Sequence, residues 1–196
     1  MALLAARQFH KPPAIARNVI WESRYWKVEL GRKADALARY AVQQHWPGRA
    51  SARAERLAMT GFFEIRKLID SRKLRTSLAS KQIALHRLRS TGHPVTIYNR
   101  YSLEKLYNLE SYEPTTKSLR FLCNQAIHSF VFILLHKQSG ELSHLLFASD
   151  RERCAWAYQI GLRKVIAIFR EVSRDLVATS HSAFNEARGD YDIVNS

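Results

Sequence analysis

FVFILLHKQSGELSHLLFAS, residues 130–149, holds two apolar runs separated by a short polar stretch. Each run has the length of one strand, and Ser139–Gly140 suits the tight turn between them. RCAWAYQI, residues 153–160, adds a third strand, with Cys154, Trp156, Tyr158 and Ile160 in loose alternation. On both sides the period returns to that of a helix. KSLRFLCNQAIHS (117–129) is preceded by Thr115 and Thr116 as possible N-caps, and GLRKVIAIFREVSRDLV (161–177) puts Leu162, Val165, Ile166, Phe169 and Val172 on one face. An antiparallel meander over about 130–160 is therefore expected beside a C-terminal helix.

Toward the N-terminus the pattern is mostly helical. NVIWESRYWKVELGRKADALARYAVQQHW (18–46) predicts one long helix capped by Asn18, with Ile20, Trp21, Val28, Leu37, Tyr40 and Ala41 near helical spacing. Trp21, Tyr25 and Val28 fit a core stripe, although the aromatics beside Arg24 and Lys27 also suit stacking on single strands. After PGRAS (47–51), a second helix covers about 51–72, with Leu57, Met59, Phe62, Phe63, Ile65, Leu68 and Ile69 apolar and Arg53, Arg56, Arg66 and Lys67 on the rest. A third is predicted over about 76–90, with Leu78, Ile83, Leu85 and Leu88 inside. A loop follows, with a short strand at 95–98 and a short helix capped by Ser102. The expected fold class is thus α+β and predominantly α-helical, a helical bundle carrying the small meander. Residues 1–17 read as an N-terminal arm broken by HKPP (10–13), residues 18–177 as a single domain, and 178–196 as a polar, mobile tail with Phe184 and Tyr191 as candidate docking points.

Composition narrows the class. With 196 residues, 46% hydrophobic and 24% charged, the chain fits one globular domain. No apolar run reaches the roughly 18–20 residues of a membrane span. The opening MALLAARQF lacks a charged n-region, so no secretory signal is expected. Cys123 and Cys154 form no CxxC pair, which points to a reducing, cytoplasmic setting and to no zinc site. Charge is lopsided: residues 1–100 hold 20 Lys and Arg against 6 Asp and Glu, whereas residues 101–196 hold 11 of each. Such a field attracts polyanions, nucleic acid first and an acidic partner protein second. SRKLRTSLASKQIALHRLR (71–89) carries Arg72, Lys73, Arg75, Lys81, Arg87 and Arg89, which together with Arg66 and Lys67 form the expected nucleic-acid-binding set. The alternative is a solvated helix face. No Lys/Arg-rich helix carries a clean apolar opposite face, so no membrane partner is expected.

One row has the look of chemistry. Within SLRFLCNQAIHSFVF (118–132), Arg120, Asn124 and His128 recur every four residues and would share a helix face. A His can take a proton near neutral pH, an Arg can stabilise charge on a transferring phosphoryl group, and an Asn can orient either. The set suits metal-free RNA cleavage with the 2′-hydroxyl as nucleophile. A polar residue followed four positions later by His, on an apolar helix in a small helical domain, resembles the HEPN family over about residues 115–130. That resemblance implies a metal-independent endoribonuclease site shared by two paired chains, often in toxins and antiviral defence, with Asn124 as orienter and His128 as base. Cys123 stands where the family motif carries its Arg, and Arg120 is the nearest substitute one turn earlier. A catalytically silent relative, a non-catalytic nucleic-acid-binding subunit and an adaptor remain open readings beside the enzyme, as does a purely structural role for the row. RNA is favoured over DNA, and a homodimer or larger complex is expected.

Other constellations are weaker. His128, His136 and His144 recur every eight residues, but no Cys or carboxylate completes a ligand set, so neither a metal nor another cofactor is expected. Asp150 in SDRER (149–153) reads as a turn residue or an acid. The absence of GxGxxG, Walker, HExxH and GxSxG patterns disfavours nucleotide hydrolysis, zinc proteolysis and α/β-hydrolase chemistry.

Overall fold

A computed structural model describes residues 22–196, and the expected arm at 1–17, the Asn18 cap, Ile20 and Trp21 lie outside them. The fold is α+β. Two long helices, α1 (Ser23–Tyr40) and α2 (Gly48–Asp70), lead into the single turn α3 (Thr76–Ala79) and strand β1 (Gln82–Ser90). Then come α4 (Leu103–Leu106), β2 (Tyr107–Ser118), α5 (Leu119–Ile127), β3 (Ser129–His136), β4 (Leu142–Ser149), β5 (Trp156–Gly161), α6 (Leu162–Ser173) and the hairpin β6 (Ser180–Asn185) and β7 (Asp190–Asn195).

The meander expected over about 130–160 exists as β3–β4–β5, and its turn contains Gly140 at φ 94°, a left-handed conformation that costs glycine little. It is not a small appendage, however. It forms three strands of a five-stranded antiparallel sheet in the order β2-β1-β5-β4-β3. The two further strands come from segments whose sequence suggested something else. Residues 76–90 are helical only to Ala79; from Gln82 onward they are strand. Ile83 and Leu85 are two apart, which would set them on opposite sides of a helix but sets them on one face of a strand. Both are buried there, while Leu88 faces the other side of the sheet. β2 is polar and contains Pro114, features that fit an edge strand, where one row of N–H groups has no partner strand to serve. Thr115 and Thr116 accordingly pair with Leu85 and Ala84 rather than capping a helix. The cap of α5 is Ser118, whose Oγ accepts from the Phe121 N–H at 3.2 Å. The strand expected at 95–98 is a turn region.

Two apolar clusters sandwich the sheet. On one face α1, α2, α5 and α6 bury Leu30, Leu37, Phe62, Ile65, Leu122 and Phe169 against Ile83, Leu145, Phe147 and Tyr158. On the other, the segment from Val95 to Tyr107 covers Leu88, Leu146, Ala148 and Ala157. α5 starts where the edge strand β2 ends and leads into the opposite edge β3, so it spans the sheet on the helical side. α6 buries all five residues of its expected face.

The stripe expected on α1 is displaced. Tyr25 and Val28 are exposed, and Lys27, Leu30, Ala34 and Leu37 are buried in their place. Lys27 can occupy that side because Asp175, itself fully buried, accepts from its Nζ through both the backbone oxygen at 2.8 Å and Oδ2 at 3.5 Å. Residues 178–196, expected as a structureless tail, form the β6–β7 hairpin, in which Phe184 and Tyr191 pack on each other at 5.2 Å. The hairpin docks by its last strand: Asn195 Nδ2 donates to the backbone oxygens of Arg72 at 2.8 Å and Leu74 at 3.0 Å.

Candidate nucleic-acid interface

The nine residues of α5 separate cleanly into a buried and an outward side. Leu119, Leu122, Cys123 and Ala126 enter the core, and buried Gln125 accepts the Ser149 N–H at 3.0 Å, tying the helix to β4. Asn124 lies on the side turned to α2, and His128, the C-cap, is exposed. The His128 backbone is engaged at both ends, its N–H bonding to Asn124 O at 3.0 Å and its oxygen accepting from Asp150 at 3.3 Å.

The expected row is therefore present, but its members serve different partners. Arg66, from α2, donates its Nε to Asn124 Oδ1 at 2.7 Å. Arg66 also pairs with Asp70, and Arg120 donates to the same carboxylate oxygen at 2.8 Å. The result is a chain of side chains, Asn124–Arg66–Asp70–Arg120, that clamps α5 to α2. Burial and the nearby Arg120 charge lower the Arg66 pKa. Cys123 holds no charge at this junction, because burial pushes its thiol up to about 12. The cation beside Asn124 comes instead from Arg66, assigned in the sequence only to nucleic-acid contact.

α2 presents a basic surface. At about 100° per residue, Arg49, Arg53, Arg56, Thr60, Phe63 and Lys67 form one outward stripe, opposite the buried Ala54, Ala58, Ile65 and Leu68. From Arg49 to Lys67 the stripe runs about 27 Å. Phe63 is 42% exposed at its centre, with the Lys67 ammonium 5.7 Å from the ring centroid. The helix also carries Glu55, Glu64 and Asp70; Glu64 is held by Lys33, and Asp70, at the end of the helix, by two arginines. No side chain caps the N-terminus of this helix.

The other residues of the expected binding set do not join this stripe as one face, because 71–89 is a loop, a single helical turn and a strand. Arg72 is a non-glycine residue at φ 54°, and its backbone oxygen holds the C-terminal hairpin, as the Leu74 oxygen does. Lys73 closes the turn through its N–H to Leu68 O at 2.9 Å. Arg75 pairs with Asp175 at 2.7 Å and Lys81 with Glu171 at 2.6 Å. Arg87 pairs with Glu113 at 2.8 Å and stacks 3.8 Å from the Trp156 centroid, with Arg89 at 5.5 Å on the same ring. Arg49 was missed altogether, although its i, i+4, i+7 relation to Arg53 and Arg56 is visible in the sequence.

His136 and His144 do not face each other: Leu135 stands opposite His144, and Leu142 opposite His136. The His136 ring is turned edge-on to Trp46, with Nδ1 2.9 Å from Gly140 O. No described helix is long and apolar enough to cross a membrane. No family model matches this chain, and no curated protein or solved structure matches it either.

Proposed function

We propose that this protein binds single-stranded nucleic acid, RNA in preference to DNA, by laying the outward stripe of α2 along the phosphate backbone. The observation that carries the reading is the alignment of exposed Arg49, Arg53 and Arg56 with half-buried Lys67 along one side of α2. Phe63, exposed in the middle of the stripe, offers a ring on which an unpaired base can stack. Four cations neutralising about four phosphates give a slope near −3 in log affinity against log salt for a single strand. Fluorescence anisotropy with a labelled single-stranded RNA tests this. Binding should fall steeply with salt, and the triple variant Arg49→Glu, Arg53→Glu, Arg56→Glu should lose it while melting like the parent. Undiminished binding by that variant refutes the reading.

A second reading, RNA cleavage in the manner the HEPN resemblance implies, is favoured by one contact. Arg66 places a guanidinium on Asn124, one turn before exposed His128, and so supplies the cation that Cys123 cannot. His128 would take the 2′-hydroxyl proton, and Arg66 would stabilise the charge growing on the phosphoryl oxygens. RNA should then be cut in the presence of EDTA to give a cyclic phosphate. His128→Ala should abolish cutting and leave binding intact. Intact RNA after incubation with the parent protein removes this second reading and leaves the first standing.

A further inference from the structure

Where β5 passes into α6, on the side of the sheet facing away from the helices, a cleft of about 620 Å3 opens between β1, β2, β4, β5 and the first turn of α6. Its floor is set by strand register. Gln159 sits opposite His86 on β1 and Leu146 on β4, and Gly161 opposite His144. With side chains alternating along each strand, His86, His144 and Gln159 point to the same side as buried Leu88 and Leu146, the side away from the helices.

Gln159 is the telling residue. It is only 8% exposed, it lines the cleft, and its side-chain amide has no hydrogen-bond partner among the described residues. Its amide is not among the fully buried polar atoms, so it reaches the open cleft, where its donors and acceptor are available to a ligand.

The surroundings say what kind of ligand. α6 has twelve residues, its N-cap is Gly161, no side chain caps its first turn and no acid lies in that turn. The free N–H groups and the positive end of the helix dipole favour an anion. Arg163 and Lys164, at the second and third positions of the helix, are exposed on the rim, and Lys164 is held across the end of β1 by donating to Ala84 O at 2.8 Å. His144 lies against Gly161, with burial and the neighbouring His86 holding its pKa below the usual imidazole value, so that as a neutral ring it offers one N–H donor. No Asp or Glu lines the cleft. Its volume exceeds that of a bare phosphate and falls in the range of small-molecule sites.

We infer that this cleft binds a small phosphorylated molecule, its phosphate seated at the N-terminus of α6 between Arg163 and Lys164 and its polar body hydrogen-bonded by Gln159 and the two histidines. The inference is independent of the α2 stripe, which lies on the helical side of the sheet.

Calorimetric titration of the full chain with inorganic phosphate and with adenosine monophosphate tests it. Both should bind, the nucleotide more tightly, and NMR should show the ring signals of His86 and His144 moving with added ligand. Gln159→Leu should weaken nucleotide binding by about tenfold or more while leaving the unliganded protein as stable as the parent or more so, the opposite of what a structural role for the amide would give. Lys164→Ala should weaken phosphate and nucleotide alike. The inference is overturned if millimolar nucleotide gives neither heat nor histidine shifts, or if both variants bind like the parent. It is equally overturned if binding disappears in the Arg49→Glu, Arg53→Glu, Arg56→Glu protein, which would put the anion on α2.

Discussion

Two residues of like sign fare differently because of what is buried beside them. Arg66 and Lys27 are both held by partners distant in sequence, Asn124 and Asp175. For Lys27, burial lowers the pKa, and the Asp175 carboxylate opposes that fall. Asp175→Ala removes the partner and leaves an ammonium enclosed, which should cost about 3–5 kcal/mol in urea unfolding. The sign of its pH dependence follows from proton counting. A lysine whose folded pKa is depressed sheds its proton in the folded state before the unfolded chain does, so stability rises with pH between the folded value and the ordinary 10.5. Without Asp175 the folded value drops further and that window widens. The deficit of the variant should therefore be smaller at alkaline than at neutral pH, and an equal deficit at both would show that Lys27 is not the cause. Cys123 is legible in the sequence as an uncharged residue beside Asn124. That a cation reaches Asn124 from Arg66, 58 residues away in the chain, is not.

Among the elements, those with a strong single period were readable and those without one were not. β3, β4, α6 and the long α2 stand close to where alternation or helical spacing put them. β1 was mistaken for the end of a helix because Leu78, Leu85 and Leu88 mimic helical spacing, and only the Ile83/Leu85 pair betrays the strand. β2 was invisible because an edge strand with one solvated row needs no apolar alternation. The packing of α2 on α6 shows a further element-scale constraint. A Cβ placed on Gly61 would fall within the Phe169 ring, which also packs edge-on against Phe62 at 5.3 Å. Gly61→Ala should therefore destabilise by about 1–3 kcal/mol through overpacking. Adding Phe169→Leu should recover part of that loss, so that the double variant melts higher than the sum of the singles implies. Strict additivity of the two changes would show that the helices do not meet there.

At the scale of the whole molecule, the sheet is a partition: the helical layer with the basic α2 stripe covers one side, and the polar cleft at the start of α6 opens on the other. The C-terminal hairpin joins this assembly through few bonds, which makes it sensitive to single changes. Asn195→Ala removes both donations to the Arg72 and Leu74 oxygens, and the Leu74 backbone is buried. A loss of about 1–3 kcal/mol is expected, with faster proteolysis inside 178–196 than in the parent; unchanged proteolysis would show that the hairpin is held by other means. By itself the sequence determined the α+β class, the meander and the C-terminal helix, since each depends on a local period that neighbouring side chains enforce. It also determined the basic first half, since net charge is additive along the chain. Tertiary structure alone decided which cations are free and which are bound to carboxylates, that Arg66 meets Asn124, and that Gln159 is left unpaired beside the N-terminus of α6. Those outcomes depend on contacts between residues far apart in the chain, and no local pattern encodes them.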